Sequence, residues 1–244
     1  MTRTLLLRGM LTGILAGLLV FAFAHTLGEP QVDRAIAFES AMDEAQTNIS
    51  HGQAADPEPE LVSRRIQKSH GLLTGVVLYG TAIGGLFGLT FAFAQGRIEI
   101  ASPRTLAAFL ATLGFLTIAL VPDLKYPANP PAVGNPDTIG IRTAAYFLLI
   151  AFSIAATILS LQLRRRLTRA FGPWSASLTA IALYIAVIAV VFHFMPTIDE
   201  VPPTFPASLL WHFRIAALGI QLVLWTALGL LFGFLTERSL RPSR

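Results

Sequence analysis

The chain has 244 residues, 54% of them hydrophobic and only 13% charged, and its mean hydropathy is +0.63. Soluble domains carry about 25% charged residues, so a water-soluble enzyme, a nucleic-acid binder and a disordered chain are all excluded, and the composition is that of a membrane protein. The formal charge of +4 then matters through the placement of Lys and Arg rather than through its sum, and the lack of cysteine excludes a disulfide framework or thiolate metal site.

A bilayer-spanning helix needs about 20 predominantly apolar residues. Six stretches meet that length, near 5–27, 71–95, 106–122, 141–163, 176–195 and 208–235. They predict an all-α polytopic bundle of six transmembrane helices, forming one membrane domain over 1–244. The first stretch follows a basic start and carries, near its end, Ala22-Phe23-Ala24, a small-x-small pattern that also suits signal-peptidase cleavage. Its glycine periodicity favours retention as a span. An outer loop over 28–70 follows, in which VDRAIAFESAMDEAQ has the spacing of a short amphipathic helix and NISHGQAADPEPE reads as a flexible connector. A second, proline-rich outer loop covers 123–140.

Orientation follows from the basic residues. Arg3, Arg8, Arg97, Arg104, Arg164, Arg165, Arg166, Arg169, Arg238, Arg241 and Arg244 fall on one side with two acids, Glu99 and Glu237. Seven basic residues and twelve of the fourteen acids fall on the other. Both termini are therefore expected in the cytoplasm. Glycine recurs every fourth residue at Gly9, Gly13 and Gly17 and again at Gly80, Gly84 and Gly88, which lets two helix backbones approach closely.

All five histidines lie on the outer side of this arrangement. His25, His70, His193 and His212 stand at helix ends, and His51 lies in the first outer loop. Imidazole together with carboxylate suits divalent Co, Ni or Zn, so the first four, with Asp123 and Asp137, are the candidate cation ligands. The outer acids Glu29, Asp33, Glu39, Asp43 and Glu44 would concentrate cations there. Arg142 and Arg214 lie within the first turns of the fourth and sixth stretches, and an ion pair with Asp123, Asp137 or Glu200 is the favoured role for them. No phosphate-binding loop, H-E-x-x-H or G-x-S-x-G motif occurs, so no enzymatic activity is expected.

The segment KYPANPPAVGNPDT, running from Lys125 through Tyr126, Pro127, Asn129, Pro130, Pro131, Gly134, Asn135 and Pro136 to Thr138, resembles the signature loop of the CbtA family of cobalt transporter subunits. EPQVDRAIAFE, SRRIQKSHGLLTG, IGIRTAAY and LWHFRIAALGIQLVLW extend the resemblance along the chain. It implies a multi-pass protein of a bacterial or archaeal cytoplasmic membrane that takes up Co²⁺ as cargo, with no permanently bound cofactor. It also implies a small single-span CbtB-like partner, with oligomers open and no nucleic-acid partner. Many relatives carry a histidine cluster within the first outer loop, where this chain has only His51 before His70 at the start of the next span, so the metal itself stays open. A non-transporting membrane scaffold that packs with such a partner is the competing reading.

Overall fold

In the lipid interior nothing but the chain itself can satisfy backbone N–H and C=O groups, so spanning segments are helices or the strands of a closed barrel, and continuous apolar stretches of this length suit helices. The computed structural model describes residues 2–50, 62–98, 100 and 102–240, and its regular structure there is entirely helical. Its helices are α1 (Thr2–Phe23), α2 (Glu29–Ser50), α3 (Arg64–Ile66), α4 (Leu72–Ala94), α5 (Pro103–Gly114), α6 (Val121–Lys125), α7 (Ile139–Phe194) and α8 (Ala207–Leu240). Wider π-helical turns over Ala24–Gly28, Gln67–Gly71 and Phe115–Leu120 join several of them end to end. Five of the resulting runs are long and apolar enough to cross a membrane: Thr2–Ala45, Arg64–Ala94, Pro103–Lys125, Pro136–Phe194 and Ala207–Ser239. Of the connector expected over 48–60, residues 48–50 instead continue the helix α2, and the rest, with His51, lies outside the described residues.

Two expectations about boundaries change. The helix does not stop after Leu27 but continues through Pro30 into α2. Pro30 has no N–H for the carbonyl of Thr26 and its ring crowds that carbonyl; the widened turn over Ala24–Gly28 makes room for the ring. Pro122 stands in the same relation to Ile118, inside the turn over Phe115–Leu120. The stretches expected as separate spans at 141–163 and 176–195 share the single run of α7. Its only non-helical residue is Gly172, at φ +75° and ψ 165°, a conformation that glycine reaches without Cβ strain. Pro173 then suits the first turn of the helix that follows.

The chain divides into two compact units. The first comprises Met1–Phe115, Asn129–Ala132 and Thr204–Arg244. Here α1 and α4 run antiparallel with their glycines face to face. A Cβ on Gly84 would strike the carbonyl of Gly9 and lie 2.8 Å from the Cα of Gly13, and one on Gly17 would lie 2.9 Å from the carbonyl of Val76. Backbone therefore rests on backbone along three turns. Ala16 and Val20 of α1 continue into a core with Leu224, Ala227 and Leu228 of α8. Nearby, Phe87 and Phe91 set their edges against Phe232 at 5.3 and 5.0 Å. Between α5 and α8, Gly229 and Gly233 meet the Cβ atoms of Ala111 and Ala107.

The second unit, Leu116–Ala128 with Val133–Pro203, is a helical hairpin. Residues 139–171 and 173–194 fold back on each other about Gly172. Ser153 Oγ and Tyr184 Oη meet at 2.8 Å, Leu149 packs with Met195, and Val121 of α6 packs with Ala156 and Ile188. Ser153, Ser160, Ala156 and Ala180 on the inner face keep the two helices close, while Phe147, Phe152, Ile158, Ile181 and Ile185 are exposed on the outside.

The glycine contacts set a prediction for stability. A Gly84→Val chain must push α1 and α4 apart and should lose about 1–3 kcal/mol, the usual cost of overpacking. Gly75→Ala, where a Cβ meets nothing within 4 Å, should be neutral or slightly stabilising. Thermal unfolding in detergent would separate the two, and equal midpoints would remove the close approach from the account.

Candidate functional site

Three of the candidate histidines belong to the first unit, and two of these sit in π-helical turns. His25, in the turn over Ala24–Gly28, holds Nδ1 at 3.1 Å from the carbonyl oxygen of Lys68 and stacks on Phe21. His212, in the second turn of α8, holds Nδ1 at 2.6 Å from the carbonyl oxygen of Ser208. A carbonyl can only accept, so both neutral rings carry their proton on Nδ1 and leave the lone pair of Nε2 open to an electrophile. Metal-binding histidines use the same second contact to orient the ring. His70, in the turn over Gln67–Gly71, has Nδ1 at 3.1 Å from Ser69 Oγ, which can give or take the proton. All three rings are exposed.

The acids beside them are already engaged. Arg64 pairs with Glu29 and donates through Nε to Asp33 Oδ1 at 3.0 Å, while Lys68 Nζ reaches Asp33 Oδ2 at 3.3 Å. Asp33 lies beyond the apolar stretch of the first run. Its slight burial pushes the carboxyl up, but the hydrogen bonds and charges of Lys68 and Arg64 outweigh it and hold the group below the ordinary aspartate value of 3.8. Lys68 thus ties its backbone to His25 and its side chain to Asp33, joining α2 to the chain entering α4. Also in this unit, Arg214 of α8 donates to Asn129 Oδ1 at 3.2 Å.

In the second unit His193 sits near the end of α7, exposed, edge-on to Phe194 at 5.2 Å. Asp123, in the first turn of α6, accepts from the backbone N–H of Ala128 at 3.3 Å. Asp137 is exposed, in a turn that Asn135 caps by accepting from the Asp137 N–H at 2.9 Å. Lys125 ends α6. Tyr126 is buried, which pushes its phenol up, and its hydroxyl donates to the carbonyl of Pro196 at 2.8 Å. Among the described residues, no group of three or more His, Asp or Glu converges as a metal site.

Sequence left the partner of Arg142 open among three acids, and the structure gives Glu200. Its carboxylate, 6% exposed, pairs with Arg142 and also accepts from the Thr138 hydroxyl. The same guanidinium stands 3.2 Å from where a Cβ on Gly134 would lie, at φ +141°. Here glycine admits the arginine as well as the backbone conformation. Thr138 and the carbonyl partners of the imidazoles carried no sequence signal, because such contacts depend on helix register rather than residue type.

Glu200→Ala would leave the Arg142 guanidinium and Thr138 hydroxyl without their acceptor. The expected cost is about 1–3 kcal/mol, seen as lower detergent stability and faster proteolysis within residues 133–138. A variant as stable and resistant as the parent would show that the pair does not hold the loop.

The chain matches the model of one protein family, described as "Probable cobalt transporter subunit (CbtA)", over residues 2–237. Comparison with curated proteins returns no match, nor does comparison with solved structures. With apolar helices of spanning length throughout and a match over nearly the whole chain, this protein belongs to the CbtA family of probable cobalt transporter subunits, a transporter assignment rather than an enzymatic one.

Proposed function

We propose that the chain is the membrane-spanning subunit through which a divalent cation, Co²⁺, enters the cell, and that it crosses a bacterial or archaeal cytoplasmic membrane six times with both termini inside. The family match over residues 2–237 is the observation that carries this reading. The hairpin about Gly172 supports six crossings, since its 59-residue run would otherwise exceed the bilayer. Arginine placement supports the orientation.

Cations are captured on the outer side by imidazole. His25 and His212, with Nε2 left open, are the best prepared, and His70, His193, Asp123 and Asp137 are the further ligands. A weak outer site suits a permease, because an ion held by a closed ligand set would not move on. The membrane potential supplies about 2.3 kcal/mol per charge per 100 mV, or about 4.6 for a divalent ion, which drives uptake without nucleotide hydrolysis. A small CbtB-like single-span protein completes the transporter.

A second reading, a scaffold that packs with such a partner and conducts nothing, is favoured by one observation: no three candidate ligands converge among the described residues. Radioactive cobalt uptake by cells expressing the chain, with and without the small partner, decides between them. Uptake should fall at least tenfold when His25, His70, His193 and His212 are all changed to alanine at matched surface expression. Absence of uptake from correctly inserted protein in either setting would leave the scaffold.

A further inference from the structure

Between Asp137 and Asp199 the chain has no acidic residue, yet Arg164, Arg165, Arg166 and Arg169 crowd into six positions. They occupy the last turns before the reversal at Gly172, and all four are exposed. Arg164 donates through Nε to Ser177 Oγ at 2.8 Å, across the bend, which fastens the turn. Arg166 and Arg169, three apart, share a helix face. Neither forms an ion pair among the described residues. On either side of Gly172, Phe171 and Trp174 are 67% and 76% exposed.

Charges of one sign held this close repel, and among the described residues no carboxylate pairs with Arg166 or Arg169. A negatively charged membrane surface would offset them. The apolar stretch 141–163 ends directly before Arg164, and the next begins two residues after Trp174, so the bend lies at headgroup depth. Large exposed aromatic rings are favoured at that depth and disfavoured in water. The rings argue for lipid over a soluble polyanion such as RNA, which would leave them wet.

We propose that the bend at 164–174 is a binding site for anionic phospholipid headgroups, with Arg166 and Arg169 on the phosphate and Phe171 and Trp174 set among the upper acyl chains. This inference rests on the six-span reading above.

The test uses the full chain carrying Trp211→Phe, which leaves Trp174 and the buried Trp225. It is reconstituted in phosphatidylcholine vesicles containing an equal minor fraction of brominated phosphatidylglycerol or brominated phosphatidylcholine. The anionic quencher should act more strongly on Trp174. Arg166→Gln with Arg169→Gln should lower that preference about fivefold per arginine, whereas Arg3→Gln with Arg8→Gln should leave it intact. Equal quenching by both lipids, or a preference that survives the double change at Arg166 and Arg169, would overturn the site while leaving the topology standing. Quenching by neither lipid would overturn both. Displacement of the lipid by inorganic phosphate or by RNA, but not by chloride at the same ionic strength, would assign the arginines to a soluble anion and also refute the proposal.

Discussion

Hydrocarbon supplies no hydrogen-bond partner for the backbone, and the rest of this structure answers to that constraint. It makes the chain helical throughout its apolar stretches and gives proline a particular cost, since each proline strands one carbonyl. At Pro30 and Pro122 the helix widens to a π turn instead of breaking. Helix association cannot rely on the hydrophobic effect in such a setting, so it rests on close packing. Gly9, Gly13 and Gly17 meet Gly80 and Gly84 backbone to backbone in one unit, and Ser153, Ala156 and Ser160 face inward in the other.

The same constraint moves chemistry to the helix ends. His25, His70, His193 and His212 are all exposed there, and two of them stand in π turns. Arg142 and Arg214, near the starts of α7 and of the last span, are answered by Glu200 and Asn129. Glu29 and Asp33 are held by Arg64 and Lys68. Acids that formal charge would place in front of an arriving cation are thus partly neutralised, and imidazole Nε2 atoms become the more available donors. Such a surface would take up a cation weakly and reversibly.

Much of the fold was legible because hydropathy and glycine spacing act over many residues. The glycine repeat announced the α1–α4 contact, and the apolar stretches announced the helices. Boundaries were less legible. The first span was expected to give way to a loop at residue 28, but a widened turn carries the helix on through Pro30, and the loop expected between 163 and 176 contracts to Gly172 because glycine and proline together reverse a helix within one residue. Site geometry was the least legible part. Glu200 was one of three acids within reach of Arg142 by sequence, and only packing selects it. That Ser208 and Lys68 orient imidazoles through their carbonyls has no counterpart in residue type.

The account depends most on His25, His70, His193 and His212 lying on the outer side of the membrane. Because the chain has no cysteine, single cysteines introduced at Thr26, Thr197 and Thr168 report on this without background. A membrane-impermeant maleimide applied to intact cells should label Thr26→Cys, beside His25, and Thr197→Cys, beyond His193, and should label Thr168→Cys only after permeabilisation. Labelling of Thr168→Cys from outside, with Thr26→Cys and Thr197→Cys protected, would invert the orientation and contradict cation capture at these imidazoles.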